Sequence, residues 1–151
     1  MSELVQRMQQ DLTEAMKARD QVRVATLRMA LAAVKEASVA GKEAKELADA
    51  DVEQVLRTQV KRRDEAAEAF QAGGRDEQAQ RELDERAILS AYLPEELDDA
   101  DLEAIVDEAL RAGGFTEPSE MGRAMNTVMA AVAGRAEGKR VSAMVKAKLA
   151  G

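Results

Sequence analysis

The chain has 151 residues, of which 46% are hydrophobic and 34% charged, and its net charge is −7. That is the size of one domain or of two small helical lobes, with too much apolar material for a disordered tail. Histidine, cysteine and tryptophan are absent, which excludes disulfide scaffolds, thiolate nucleophiles, Cys or His zinc sites and any triad built on imidazole.

Ala, Leu, Met, Glu, Gln, Lys and Arg, the strong helix formers, make up 100 of the 151 residues. Val, Ile and Thr together supply 20, and no segment alternates polar and apolar long enough for a strand. The fold class is read as all-α. Ser2 is placed to cap a first helix with Leu4, Val5, Met8, Leu12 and Met16 along one side. Asp20 caps a second, with Val24, Leu27, Leu31 and Val34 inward. Gly41 to Leu47 is a polar connection. A third helix starts at Asp49 or Asp51, carries Val52, Val55, Leu56 and Val60, and stops at Gly73-Gly74. A fourth, from about Asp76 to Ser90, buries Leu83, Ala87 and Ile88.

Tyr92-Leu93-Pro94 is the main break, because proline and the residue before it leave the helical region. Asp98 or Asp99 caps a fifth helix with Leu102, Ile105, Val106 and Leu110, ending at Gly113-Gly114. A sixth opens near Ser119 after Pro118 and ends at Gly134, and a seventh runs from about Val141 to Leu149. The expected organisation is an N-terminal lobe of about four helices over residues 1–93 and a C-terminal three-helix bundle over 94–151.

No apolar stretch approaches the ~20 residues of a membrane helix, so no membrane partner is expected. The polar N-terminus, Met-Ser-Glu-Leu-Val-Gln-Arg, lacks a signal-peptide core, and the expected location is the cytoplasm. Charge is uneven along the chain. Residues 94–120 carry ten acidic groups and one basic group, whereas residues 121–151 carry six basic groups and one acidic group. A local basic field of this kind can hold an anion on an acidic protein.

Gly134-Arg135-Ala136-Glu137-Gly138-Lys139-Arg140 invites a phosphate-loop reading and fails it. Three residues separate the glycines where a Walker loop has four, and Arg140 follows the lysine where Ser or Thr is required. A single-phosphate pocket remains open, made by the first turn of the last helix with Lys139, Arg140 and Ser142 beside it. The plainer alternative is a glycine-rich turn with solvated basic residues. Lys139 and Lys146, seven apart, point the same way if that helix starts early enough, and Arg123 and Lys148 belong to the same bundle. The opposite side, Val141, Met144, Val145 and Leu149, is assigned to the core. It is too short, once packed, for a membrane surface.

Met121, Met125, Val128, Met129 and Val132 form a helical stripe, read as core packing rather than an adaptable docking face. Lys61-Arg62-Arg63 is read as solvated helix surface, with a second RNA-backbone contact as the alternative. The acidic run Glu95, Glu96, Asp98, Asp99, Asp101 does not make a calcium loop: starting at Asp99, the sixth and twelfth positions are Ala104 and Leu110. Those carboxylates are read as caps and first-turn charges. No metal site, catalytic residue or cofactor is assigned. With Phe70, Tyr92 and Phe115 the only aromatics, no base-stacking platform is expected.

Several short pieces carry a resemblance in their order and spacing. They are Asp11-Leu12, Ala15-Met16-Lys17-Ala18, Thr26-Leu27-Arg28, Val34-Lys35, Lys61-Arg62-Arg63, Gly74-Arg75, Tyr92-Leu93-Pro94, Met121-Gly122 with Met125, and Gly134 to Lys139 followed by Val141-Ser142. Over essentially its full length the chain resembles the free-standing GatB/YqeY domain proteins. It departs from the usual pattern at Ala48 and Asp98, where Ser or Thr caps are usual, and at Glu137, where Asp is usual. The resemblance implies that the C-terminal part is similar to the tail of the B subunit of the tRNA-dependent amidotransferase, which helps hold tRNA. It implies tRNA or another structured RNA as partner, touched by the basic patch around Arg135, Lys139, Arg140 and Lys146. Arg123, Ser142 and Lys148, placed beside that patch by the residue pattern, complete the candidate contacts, and no DNA is expected. The resemblance also brings the label of a carbon–nitrogen ligase with glutamine as amido-N-donor. The chain lacks an amidase module and an ATP cradle, so an accessory role is expected rather than catalysis alone. A protein-interaction adaptor, docking through the acidic 95–108 helix or the N-terminal lobe, is the alternative.

Overall fold

The computed structural model describes residues 2–151. Among the described residues there are seven α-helices, one 3-10 turn and no strand, so the protein is all-α. Helix α1 spans Glu3–Lys17, α2 Gln21–Val39, α3 Asp49–Ala72, α4 Asp76–Ser90, α5 Asp99–Gly113, α6 Met121–Val132 and α7 Gly138–Ala150. The chain gathers into two compact units that divide between Leu93 and Pro94.

Local chemistry explains most of the boundaries. Ser2 Oγ accepts from the Val5 amide, Asp20 from Arg23 and Asp98 from Asp101. Each bond satisfies one of the amides that a helix start leaves unpaired. At α3 the reach is reversed, and the Ala48 amide donates to Asp51. Asp49 instead accepts from the Leu4 amide at 3.2 Å, which ties the start of α3 to the start of α1. Helix α5 stops where Gly114 turns left-handed, at φ 69°. Gly113 must also stay small, since a Cβ there would lie 2.3 Å from the Phe115 ring.

In the first unit α1 packs on α2, and α4 packs on both α2 and α3. Met8, Leu27, Val52, Leu56 and Leu89 are fully enclosed. The fourth helix departs from expectation. Ala87 is exposed, Leu83 and Ile88 are half-buried, and the enclosed positions are Ala79, Glu85 and Leu89. The reason lies across the interface on α3. Arg63, expected on the solvated surface, is buried, and its Nε sits 3.7 Å from Glu85 Oε2. Arg63 Nη1 donates to Gln59 Oε1 at 2.8 Å, and Arg81 reaches Glu85 Oε1 at 3.2 Å. Lys61 and Arg62 do remain exposed. Met16, expected inward on α1, is half exposed at 50%, with Arg28 resting against its sulfur.

Tyr92, at the break after α4, is buried. Its hydroxyl donates to Asp11 of α1, and the Arg7 guanidinium lies 4.8 Å above its ring. Burial, then the bond to Asp11 and that carboxylate's charge, push the phenol well above its ordinary value. The chain leaving α4 is thereby pinned to α1.

In the second unit α5, α6 and α7 surround Leu102, Val106, Val128, Val132, Val141 and Val145, all fully buried. Met121 and Met125 pack against this core, while Met129 reaches the surface. Helix α6 begins at Met121, two residues later than expected, because Pro118–Glu120 forms a 3-10 turn first. It ends at Val132 because Ala133 already takes the left-handed conformation at φ 52°, followed by Gly134 at 77°. Helix α7 starts at Gly138, three residues before the expected Val141.

Two outcomes check this account of the first unit. Truncating Glu85 to Ala leaves the Arg63 charge buried, and should cost about 3 kcal/mol or more in urea unfolding. Arg63→Met with Glu85→Leu should recover most of that loss. Tyr92→Phe removes the bond to Asp11 and should cost about 1–2 kcal/mol. A raised folded-state pKa makes Tyr92's contribution full below the ordinary tyrosine value of about 10 and lost as pH rises beyond it. The gap between wild type and Tyr92→Phe should therefore narrow above that pH.

Candidate nucleic-acid interface

The expected contact residues lie on α6, α7 and the turn between them, and the structure divides them into groups. Helix α7 has Glu137 at its N-cap, and no side chain caps its first turn. Its core side carries Val141, Val145 and Leu149. Lys139 and Lys146 stand on a solvent-facing flank of the helix. Both are exposed, and neither enters an ion pair among the described residues. Seven residues place them within about 20° of each other around the helix and about 10 Å apart along it. This follows from the early start of α7, which puts Lys139 inside the first turn. Ser142, one turn on, is half-buried.

Arg140 and Lys148 turn toward α5 instead. Arg140 Nη2 is 2.9 Å from Asp99 Oδ1. Lys148 Nζ is 2.6 Å from Glu103 and 3.1 Å from Asp107. Hydrogen bonds that Lys148 donates to Glu103, then to Asp107, hold its ammonium above its ordinary pKa. Asp99, Glu103 and Asp107 recur every four residues and so share one side of α5. The acidic run is thus more than a set of caps. Asp98 caps, while Asp99 spans the seam to α7.

Arg135 has a third role. Its Nε donates to the Glu95 carbonyl at 3.0 Å, and its own carbonyl accepts from the Leu97 amide at 2.8 Å. The residue fastens the segment entering α5 to the turn entering α7. Arg123 is exposed, 3.5 Å from Glu120, with its guanidinium 6.0 Å from the Phe115 ring centre. That is the outer limit of a useful cation–π contact. Among the described residues, no group of three or more acidic side chains is arranged to hold a metal ion. No helix among them is long and apolar enough to cross a membrane.

Sequence reasoning grouped the cations by proximity along the chain and missed the seam. The signal was present in the four-residue spacing of Asp99, Glu103 and Asp107 and the eight-residue spacing of Arg140 and Lys148. A three-helix bundle brings two such rows together when α5 and α7 are neighbours.

Fold and surface together define an all-helical protein of two compact units whose second unit carries exposed lysines beside an internally paired acidic helix. The family described as Yqey-like protein matches residues 5–149. That is nearly the whole chain, which therefore belongs to the Yqey-like family. No curated protein matches the chain.

One local outcome tests the geometry around Arg123. Glu120 accepts from the Thr116 and Glu117 amides at 3.0 Å each. These bonds, first from Thr116 and then from Glu117, hold its carboxyl below the ordinary range. A depressed carboxylate stabilises above its unfolded pKa and loses that contribution as pH falls through its folded pKa. Glu120→Gln should therefore lower Tm at pH 7, and the difference from wild type should close in acid below about pH 4.

Proposed function

We propose that the protein binds structured RNA, tRNA being the first candidate, through phosphate contacts on the solvent side of α7. The observation that carries this reading is the alignment of Lys139 and Lys146, exposed and outside any ion pair, on a helix whose first turn no side chain caps. Unpaired amides and the positive end of the helix dipole favour an anion there. Two lysines along one line then extend the contact over a backbone. Such contacts position RNA and leave selection to its shape. The resemblance of the C-terminal part to an amidotransferase tail agrees with this reading. The adaptor alternative through the acidic helix is less favoured, because Asp99, Glu103 and Asp107 are already engaged by α7. Within an amidotransferase assembly the chain would act as an accessory, and no catalytic residue is proposed.

Fluorescence anisotropy with labelled bulk tRNA tests the proposal at two salt concentrations. Lys139→Gln with Lys146→Gln should weaken binding at least about tenfold in low salt. It should also flatten the log–log salt slope by about 1.8, at roughly 0.9 for each phosphate no longer neutralised. Equal affinity and slope in wild type and variant would sink the assignment of these two residues.

A further inference from the structure

The acidic row of α5 lies where a phosphate backbone approaching α7 would compete with it. Arg140 and Lys148 are long cations on the helix proposed to meet RNA, and both are held by carboxylates of the same unit. Those carboxylates are not buried structural partners. The Asp99 side chain is 90% exposed, and those of Glu103 and Asp107 are 54% and 53% exposed. Exposed ion pairs contribute little to folding, on the order of 0–1 kcal/mol each. The unit's cohesion comes from its enclosed apolar side chains, each of which contributes about 1.5–3 kcal/mol on burial. Stability therefore does not explain three acids matched to two bases along one seam. Their larger effect is on the surface field, because charges within about a Debye length of 8–10 Å act on an incoming anion.

We infer that Asp99, Glu103 and Asp107 act as a built-in competitor for RNA phosphate, withholding Arg140 and Lys148 and so limiting backbone affinity. This rests on the proposed binding through α7 and adds its regulation. An RNA that binds must either leave these two cations paired or displace carboxylates to recruit them. A non-specific backbone gains only the two lysines of the solvent side. A shape-matched RNA that reaches the seam gains up to two further cations. The row thus favours fit over general attraction to polyanions, the same logic by which unfavourable charge excludes wrong partners.

The test uses the full chain and bulk tRNA. Asp99→Asn, Glu103→Gln and Asp107→Asn are combined, and a control variant carries Glu65→Gln and Glu68→Gln on exposed positions of α3. Circular dichroism establishes that each variant folds with an unchanged helix signal. The inference predicts that the triple variant binds at least about tenfold more tightly at 50 mM salt, with a slope steeper by about 1.8. That advantage should shrink about tenfold by 200 mM. The control should stay within about twofold of wild type. Arg140→Gln with Lys148→Gln should abolish the gain when added to the triple variant. Wild-type binding with no gain in the triple variant overturns the competitor alone. An equal gain in the control shows only net charge at work and also overturns it. Absence of binding by both wild type and triple variant overturns the RNA reading itself.

Discussion

Asp99, Glu103 and Asp107 lie one helical turn apart on α5, facing Arg140 and Lys148 across the seam to α7. What the second unit can offer a ligand depends on that arrangement. It removes two of the six cations in residues 121–151 from the free surface, while Arg135 is committed to the Glu95 carbonyl. Lys139 and Lys146 remain on the solvent side. The net charge of the segment would suggest a broad basic face, but pairing reduces it to a narrow line. Geometry rather than composition decides the local field.

The two units use ion pairs in opposite ways. Arg63 and Glu85 are enclosed between α3 and α4, where losing one partner strands a charge away from water. Such a pair adds little to net stability, because desolvation offsets much of its attraction. The α5–α7 pairs are open to solvent, weak, screened by salt and replaceable. Only exchangeable pairs can be traded for bonds to another polyanion. The buried pair therefore belongs to the architecture, and the exposed pairs are the ones that the proposed RNA contact could exchange.

Most of the fold was legible because its punctuation is local. Ser2, Asp20 and Asp98 cap helices within three residues of themselves, and Gly73-Gly74 and Gly113-Gly114 end them. The stop of α6 was less legible, since Ala133 takes a left-handed turn that favours glycine. Burial on α3 and α4 was misread where a charged side chain faced inward. Arg63 lies three residues after Val60 and four before Ala67, on the apolar side of α3 by spacing alone, yet its charge argued for solvent. Glu85 stands four before Leu89 in the same way. The partnership that makes each burial tolerable joins residues 22 apart, so no local pattern shows it. The α5–α7 seam was hidden for the same reason. Each row is periodic by itself, and only packing shows that they meet.

Lysine side-chain NMR during titration with bulk tRNA tests the central claim most directly. Specifically assigned 15Nζ resonances report each ammonium by itself. The account predicts that Lys139 and Lys146 shift first and together at low salt, while Lys148, held by Glu103 and Asp107, moves later or not at all. Neutralising the three acids should bring Lys148 into step with the other two. Equal early shifts of Lys148 and Lys139 in the unaltered protein, or shifts confined to the lysines of the first unit, would contradict it.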